Sequence, residues 1–144
     1  MSTIKKFLNL IFIDGLSGMA LGLFSTLIIG TILKQAADLI GGDFGYYLGV
    51  FAVMAQRLTG AGIGIGVAYK YKSSTYVTLS AAAAGMIGAY ATAIISGSIL
   101  SDGALVYSGP GDPLSAFIAA LAGIAVGSLP AGKTKLDLLI TPAV

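Results

Sequence analysis

Four long apolar segments constrain this chain more than any other feature. They run over about residues 7–33, 45–69, 76–100 and 114–129. A helix needs about 20 largely apolar residues to cross the hydrocarbon core of a bilayer. Backbone groups in lipid must bond within their own segment, so such runs predict helices. Period-2 alternation, the mark of a barrel strand, is missing over most of their length, with Gly60–Val67 the exception. Charged residues are only 10% of the chain and hydrophobic ones 56%, against about 25% charged in soluble domains. Mean hydropathy is +0.93. So few charges cannot cover a water-facing globule. The expected fold class is an all-α integral membrane protein, a single transmembrane domain over residues 1–144 with a bundle of about four helices.

Lys5 and Lys6 precede the first apolar run, as in a signal peptide. The run is too long for a signal core of about 7–15 residues and no A-x-A-like site follows, so it reads as a retained span. The connections carry turn chemistry: residues 34–44 with Gly41, Gly42 and Asp43, the short 70–74 segment, and residues 101–113. Asp112 is placed to cap the fourth helix, Pro113 suits its first turn, and Pro130 with Gly132 should end it.

Basic residues set the orientation. Lys5, Lys6, Lys70, Lys72, Lys133 and Lys135 fall on one side of a four-span chain, and Lys34 alone falls on the other. The N-terminus and the six-lysine side are expected to be cytoplasmic, in a multi-pass protein of the bacterial inner membrane.

Lipid supplies no hydrophobic drive for helix association, so small residues must bring helices together. Gly18 and Gly22, Gly45 and Gly49, Gly60 and Gly64, Gly62 and Gly66, and Gly123 and Gly127 are each four apart. The run at residues 60–66 has two readings. One is a close helix contact. The other is a broken helix whose backbone lines a polar site, since glycine weakens a helix by roughly 1 kcal/mol relative to alanine. No βαβ pattern surrounds it, which excludes a dinucleotide loop.

Charge inside the bilayer costs at least about 2.5 kcal/mol. Arg57, beside Gln56, lies mid-span and is expected to face the bundle interior, a cavity or a partner chain. Asp14 either pairs with it or sits at the interface, with residues 4–13 forming a surface helix. Asp112 either caps a helix or presents its rigid turn to a solute. The candidate substrate-binding residues are therefore Asp14, Gln56, Arg57, Gly62, Gly64 and Asp112.

The chain has no Cys and no His. That removes thiolate nucleophiles, the usual general base and the commonest metal ligands. No catalytic residues, metal or cofactor are expected. A net charge of +2, scattered along the chain, gives no nucleic-acid footprint.

Four stretches resemble a known family in order along nearly the whole chain: residues 12–24 (FIDGLSGMALGLF), 60–69 (GAGIGIGVAY), 111–121 (GDPLSAFIAAL) and 132–137 (GKTKLD). They are similar to bacterial phosphotransferase-system enzyme IIC, the sugar-translocating subunit. The resemblance implies uptake of a small solute, a sugar or polyol. Phosphotransfer would occur only with separate phosphoryl-carrier subunits. Members of that family are over twice as long, and residues 138–144 are too few to span, so the resemblance implies part of a longer protein. A half-length chain would need a homo-oligomer or a second half-protein to close a path. Sugar-binding members commonly use Glu or His near the sugar, and this chain has neither. Two alternatives stay open: a non-transporting sensor, ligand binder or scaffold, and an oligomeric channel whose Arg57 ring would favour anions.

Overall fold

The computed structural model describes residues 2–105 and 110–128. The expected helix stop at Pro130 and Gly132, Lys133, Lys135, the motif at 132–137 and the tail at 138–144 lie outside them, as does Leu129.

The chain opens with one continuous helix, Thr3–Ile40, long and apolar enough to cross a membrane. Its 38 residues extend about 57 Å, nearly twice a hydrocarbon core. It comprises α1 (Ser2–Asn9), a π-helical turn at Leu10–Gly15, α2 (Leu16–Leu23), a second π turn at Phe24–Ile28, and α3 (Ile29–Ile40). The expected loop over residues 34–44 is thus corrected. Helix continues to Ile40, and the reversal falls on Gly41 and Gly42, both at positive φ (68° and 65°). Only glycine takes two such positions in succession readily.

α4 (Gly42–Arg57) and α5 (Thr59–Lys70) follow, and together they occupy the segment of the second expected span. They are bent by 47° at Leu58. α6 (Thr75–Ala89) starts at an N-cap Ser74, and Tyr90 separates it from the short α7 (Ala91–Ser96). The third expected span therefore stops short of Leu100. There, β1 (Leu100–Ser101) pairs antiparallel with β2 (Ala104–Leu105), a small departure from an all-α fold. Asp102 and Gly103, at φ 51° and 80°, form the hairpin turn. α8 (Pro113–Gly127) is the fourth segment. α6 and α8 are apolar but only 15 residues each.

α5 is the hub. It packs on α2, α6 and α8, while α6 lies along α8 and α3 along α4. Its interleaved glycines divide the work. A Cβ on Gly62 or Gly66 would collide with Gly22 and Gly18 of α2, whereas Gly60 and Gly64 meet Gly85 and Ala81 of α6. The close-contact reading of residues 60–66 is the one observed. Glycines four apart share a face, and glycines two apart lie on nearly opposite faces.

The interior is built of small residues: Ala52, Ala68, Ala81, Ala116 and Ala120 are fully buried beside Ile63 and Val67. Large apolar side chains point outward, with Leu39 and Ile95 both 87% exposed. A water-soluble core has the opposite arrangement, and a lipid-facing surface has this one.

The basic segments gather at one end. The Tyr71 hydroxyl donates to the Leu10 carbonyl (2.9 Å), which brings the Lys70–Lys72 turn to α1 and its Lys5 and Lys6. The end of α8, at Ile124 and Ser128, reaches the same place.

Candidate functional site

At the other end of the α2–α5–α6–α8 packing, four helix irregularities meet in one layer. The first is the π turn at Phe24–Ile28. The second is the bend at Leu58, the third the break at Tyr90, and the fourth the start of α8 at Asp112. Contacts link them in sequence. The Thr26 hydroxyl lies 3.1 Å from the Thr59 hydroxyl across α2 and α5. A Cβ on neighbouring Gly60 would come within 2.7 Å of Ala89. The Ala89 carbonyl, at the α6 break, accepts the Asp112 N–H at 2.7 Å.

Breaking a helix frees backbone groups, and in lipid they must be re-satisfied locally. Thr59 is fully buried and its hydroxyl donates to Gln56 O at 2.7 Å. The Thr26 hydroxyl has both Gly22 O, at 2.8 Å, and Thr59 Oγ1 as acceptors for its one proton. The layer is therefore polar and tied down, although the surrounding sequence is apolar.

Arg57 is the last residue of α4, directly before the bend, and is half-buried. It lines two clefts. One, of about 270 Å³, is shared with Met54, Leu58 and Met86. The other, of about 450 Å³, runs along α4 past Gly49 and Gly45 to Asp38 of α3. Asp38 lies in the segment expected as a loop, and the continuation of α3 carries it to this cleft. Gln56 is half-buried and its stem covers Gly30, so that a Cβ there would lie 2.6 Å from Gln56 Cγ.

Asp14 is not placed to pair with Arg57. It sits in the first π turn beside Tyr71, at the basic end. The twelve residues from Asp14 to Thr26 put about 18 Å of helix between it and the break layer. Residues 4–13 continue straight into α2 instead of forming a separate surface helix.

Gly62 and Gly64 act first as packing surfaces. α5 runs unbroken through both, so the helix does not unwind there. The nearest helix break is at Leu58, before the glycine run. Gly62 also edges an open groove of about 360 Å³ with Leu21, Ser25 and Thr26. Asp112 is exposed and caps α8: its carboxylate accepts from Leu114 N (3.0 Å) and from the Ser115 hydroxyl (2.7 Å).

Thr26 and Thr59 were missed by the sequence reading. The available signal was a hydroxyl inside an apolar run next to a suspected break. Among the described residues no cluster of acidic side chains could hold a metal ion.

No curated protein and no solved structure matches this chain. The family model described as phosphotransferase system, EIIC matches residues 13–144, and thus covers the whole of the helix-break layer. The chain therefore belongs to the EIIC family, the membrane component of phosphotransferase-system sugar transporters.

Proposed function

We propose that the helix-break layer lies on the path of a small polyhydroxylated solute, a sugar or polyol, across the bacterial cytoplasmic membrane. The observation that carries this is Arg57 at a 47° bend, opening onto two clefts in an otherwise apolar bundle. Discontinuous helices and irregular backbone within a membrane belong where they border a protein interior or a solute cavity.

Depth supports the reading. With the basic end at the cytoplasmic surface, the twelve residues of α5 carry the chain about 18 Å inward. In a hydrocarbon core of about 30 Å, the break layer lies just past the centre. Arg57 there is a costly charge, and its planar guanidinium suits adjacent hydroxyls of a sugar.

The other residues take supporting parts. Gln56 supplies an amide next to Arg57. Gly62 and Gly64 let α5 sit close to α2 and α6, which holds the bend in place. Asp112 fixes the start of α8 against the α6 break. Asp14 lies at the cytoplasmic mouth. The clefts are open on their outer side, so a second copy or a second half-protein would close the path. Phosphoryl transfer to the solute would come from separate carrier subunits.

The test is a thermal-shift screen of the detergent-purified protein against sugars and polyols, since a bound ligand raises the melting temperature by mass action. One stabilising sugar, with the effect lost in Arg57→Leu while membrane insertion is retained, is the expected result. Sugar uptake that survives Arg57→Leu would remove Arg57 from the path. Ion current in bilayers without saturable uptake would favour the channel reading.

A further inference from the structure

We propose that the cleft between the first π turn, the α5–α6 turn and the end of α8 binds the headgroup of an anionic phospholipid. This cleft is at the basic end, away from the break layer, and has a volume of about 430 Å³. Leu10, Val77 and Ile124 form its apolar walls, each from a different helix. Tyr71, Lys72 and Ser73 supply its polar side. A phosphate above a hydrocarbon chain has the same division of character.

Charge favours an anion. Lys5, Lys6, Lys70 and Lys72 all belong to this end. Asp14 is the one described acidic residue near it; Asp38, Asp43, Asp102 and Asp112 lie on or beyond the break layer. No ion pair engages these four lysines among the described residues. Basic pockets between membrane helices at the bilayer surface are suited to anionic headgroups. The apolar walls distinguish a lipid from a free phosphate ester, which would gain nothing from Leu10, Val77 and Ile124. The inference needs only that this end meets a membrane surface, and it is independent of the solute path.

The experiment titrates the purified full chain, in neutral detergent, with short-chain phosphatidylglycerol, phosphatidylcholine and glycerol phosphate, with the melting temperature as readout. Phosphatidylglycerol should raise it saturably, and the other two should not. Lys72→Asn removes the charge and keeps the turn, because Lys72 sits at φ 54° and asparagine tolerates that backbone. It should weaken the phosphatidylglycerol affinity roughly fivefold. Ser73→Ala, which leaves the turn backbone alone, should weaken it in the same direction. Lys70→Gln, a charge at the same end that does not line the cleft, should leave the affinity within roughly twofold. Equal stabilisation by phosphatidylcholine would overturn the proposal. So would a loss in Lys70→Gln as large as in Lys72→Asn, which would mean diffuse surface charge. Saturable stabilisation by glycerol phosphate alone would assign the cleft to a soluble phosphate ester and also overturn it.

Discussion

The Thr26 and Thr59 hydroxyls lie 3.1 Å apart; Thr59 donates to Gln56 O across the bend, so Thr26 supplies the proton between them, with Gly22 O also within its reach. This one contact joins the π turn of the first helix to the bend of the second. Hydrogen bonds between membrane helices are worth about 0.6 kcal/mol on average in double-mutant cycles. Thr26→Val and Thr59→Val keep the shape and remove the hydroxyls. Each is expected to destabilise the protein by about 1 kcal/mol, with coupling of about 0.6 kcal/mol between them. Unfolding in mixed micelles of the two single variants and the double variant measures it. Strict additivity would show that the two hydroxyls do not act as a pair.

The glycines differ sharply in what surrounds them. A Cβ on Gly64 would drive into the backbone of Ala81, and one on Gly22 into that of Gly62. Backbone cannot move aside as a side-chain tip can, so Gly64→Ala and Gly22→Ala should cost about 3 kcal/mol or more. At Gly49 the nearest neighbour is Ala37 Cβ at 3.8 Å, an ordinary contact, and a Cβ on Gly127 would meet nothing within 4 Å among the described residues. Gly49→Ala and Gly127→Ala should be neutral or stabilising by up to about 1 kcal/mol through helix propensity. Melting temperatures of the four variants in one detergent decide this. A well-folded, fully stable Gly64→Ala would disprove the α5–α6 contact.

The same residues show what was legible in the sequence. Glycines four apart at 60/64 and 62/66 announce two close contacts, because the helical period puts each pair on one face. They do not say which helix each face meets, since any thin partner would serve. The helix from Lys34 to Ile40 was hidden because Lys34, Gln35 and Asp38 end the apolar run, and hydropathy reads polarity, not backbone geometry. There, Ala37 packs against Gly45 and extends the hairpin of α3 and α4. The two π turns have no residue signature. Arg57 stood out because charge is expensive in lipid, whereas Thr26 and Thr59 did not, because a hydroxyl can satisfy itself on its own helix.

Asp112 separates capping from solute binding. Its carboxylate holds Leu114 N and the Ser115 hydroxyl. Asp112→Ala should cost about 1 kcal/mol through loss of the N-cap. Asp112→Asn keeps an acceptor for Leu114 N and should be nearly neutral in stability. If the carboxylate also touches the solute, Asp112→Asn will lose sugar-induced stabilisation while its melting temperature without ligand stays put. Wild-type ligand response in Asp112→Asn confines this residue to the cap.

Tyr71 gives the fold a dependence on alkaline pH. Burial, and secondarily the nearby Asp14 carboxylate, hold its phenol above the usual value near 10. The folded protein thus favours the neutral phenol, which donates to Leu10 O. A group whose pKa is raised on folding contributes stability that is complete below the unfolded value, and that stability is lost as pH rises through the folded one. Wild type should exceed Tyr71→Phe by about 0.5 kcal/mol at pH 7. The gap should hold to about pH 9 and shrink above about pH 10. Asp14→Asn removes the second cause, so Tyr71 should ionise at lower pH in that background. Absorbance titration of the phenolate in wild type, Tyr71→Phe and Asp14→Asn reads this directly. If Tyr71 ionises at the same pH with and without the Asp14 charge, the two groups are not neighbours at the basic end.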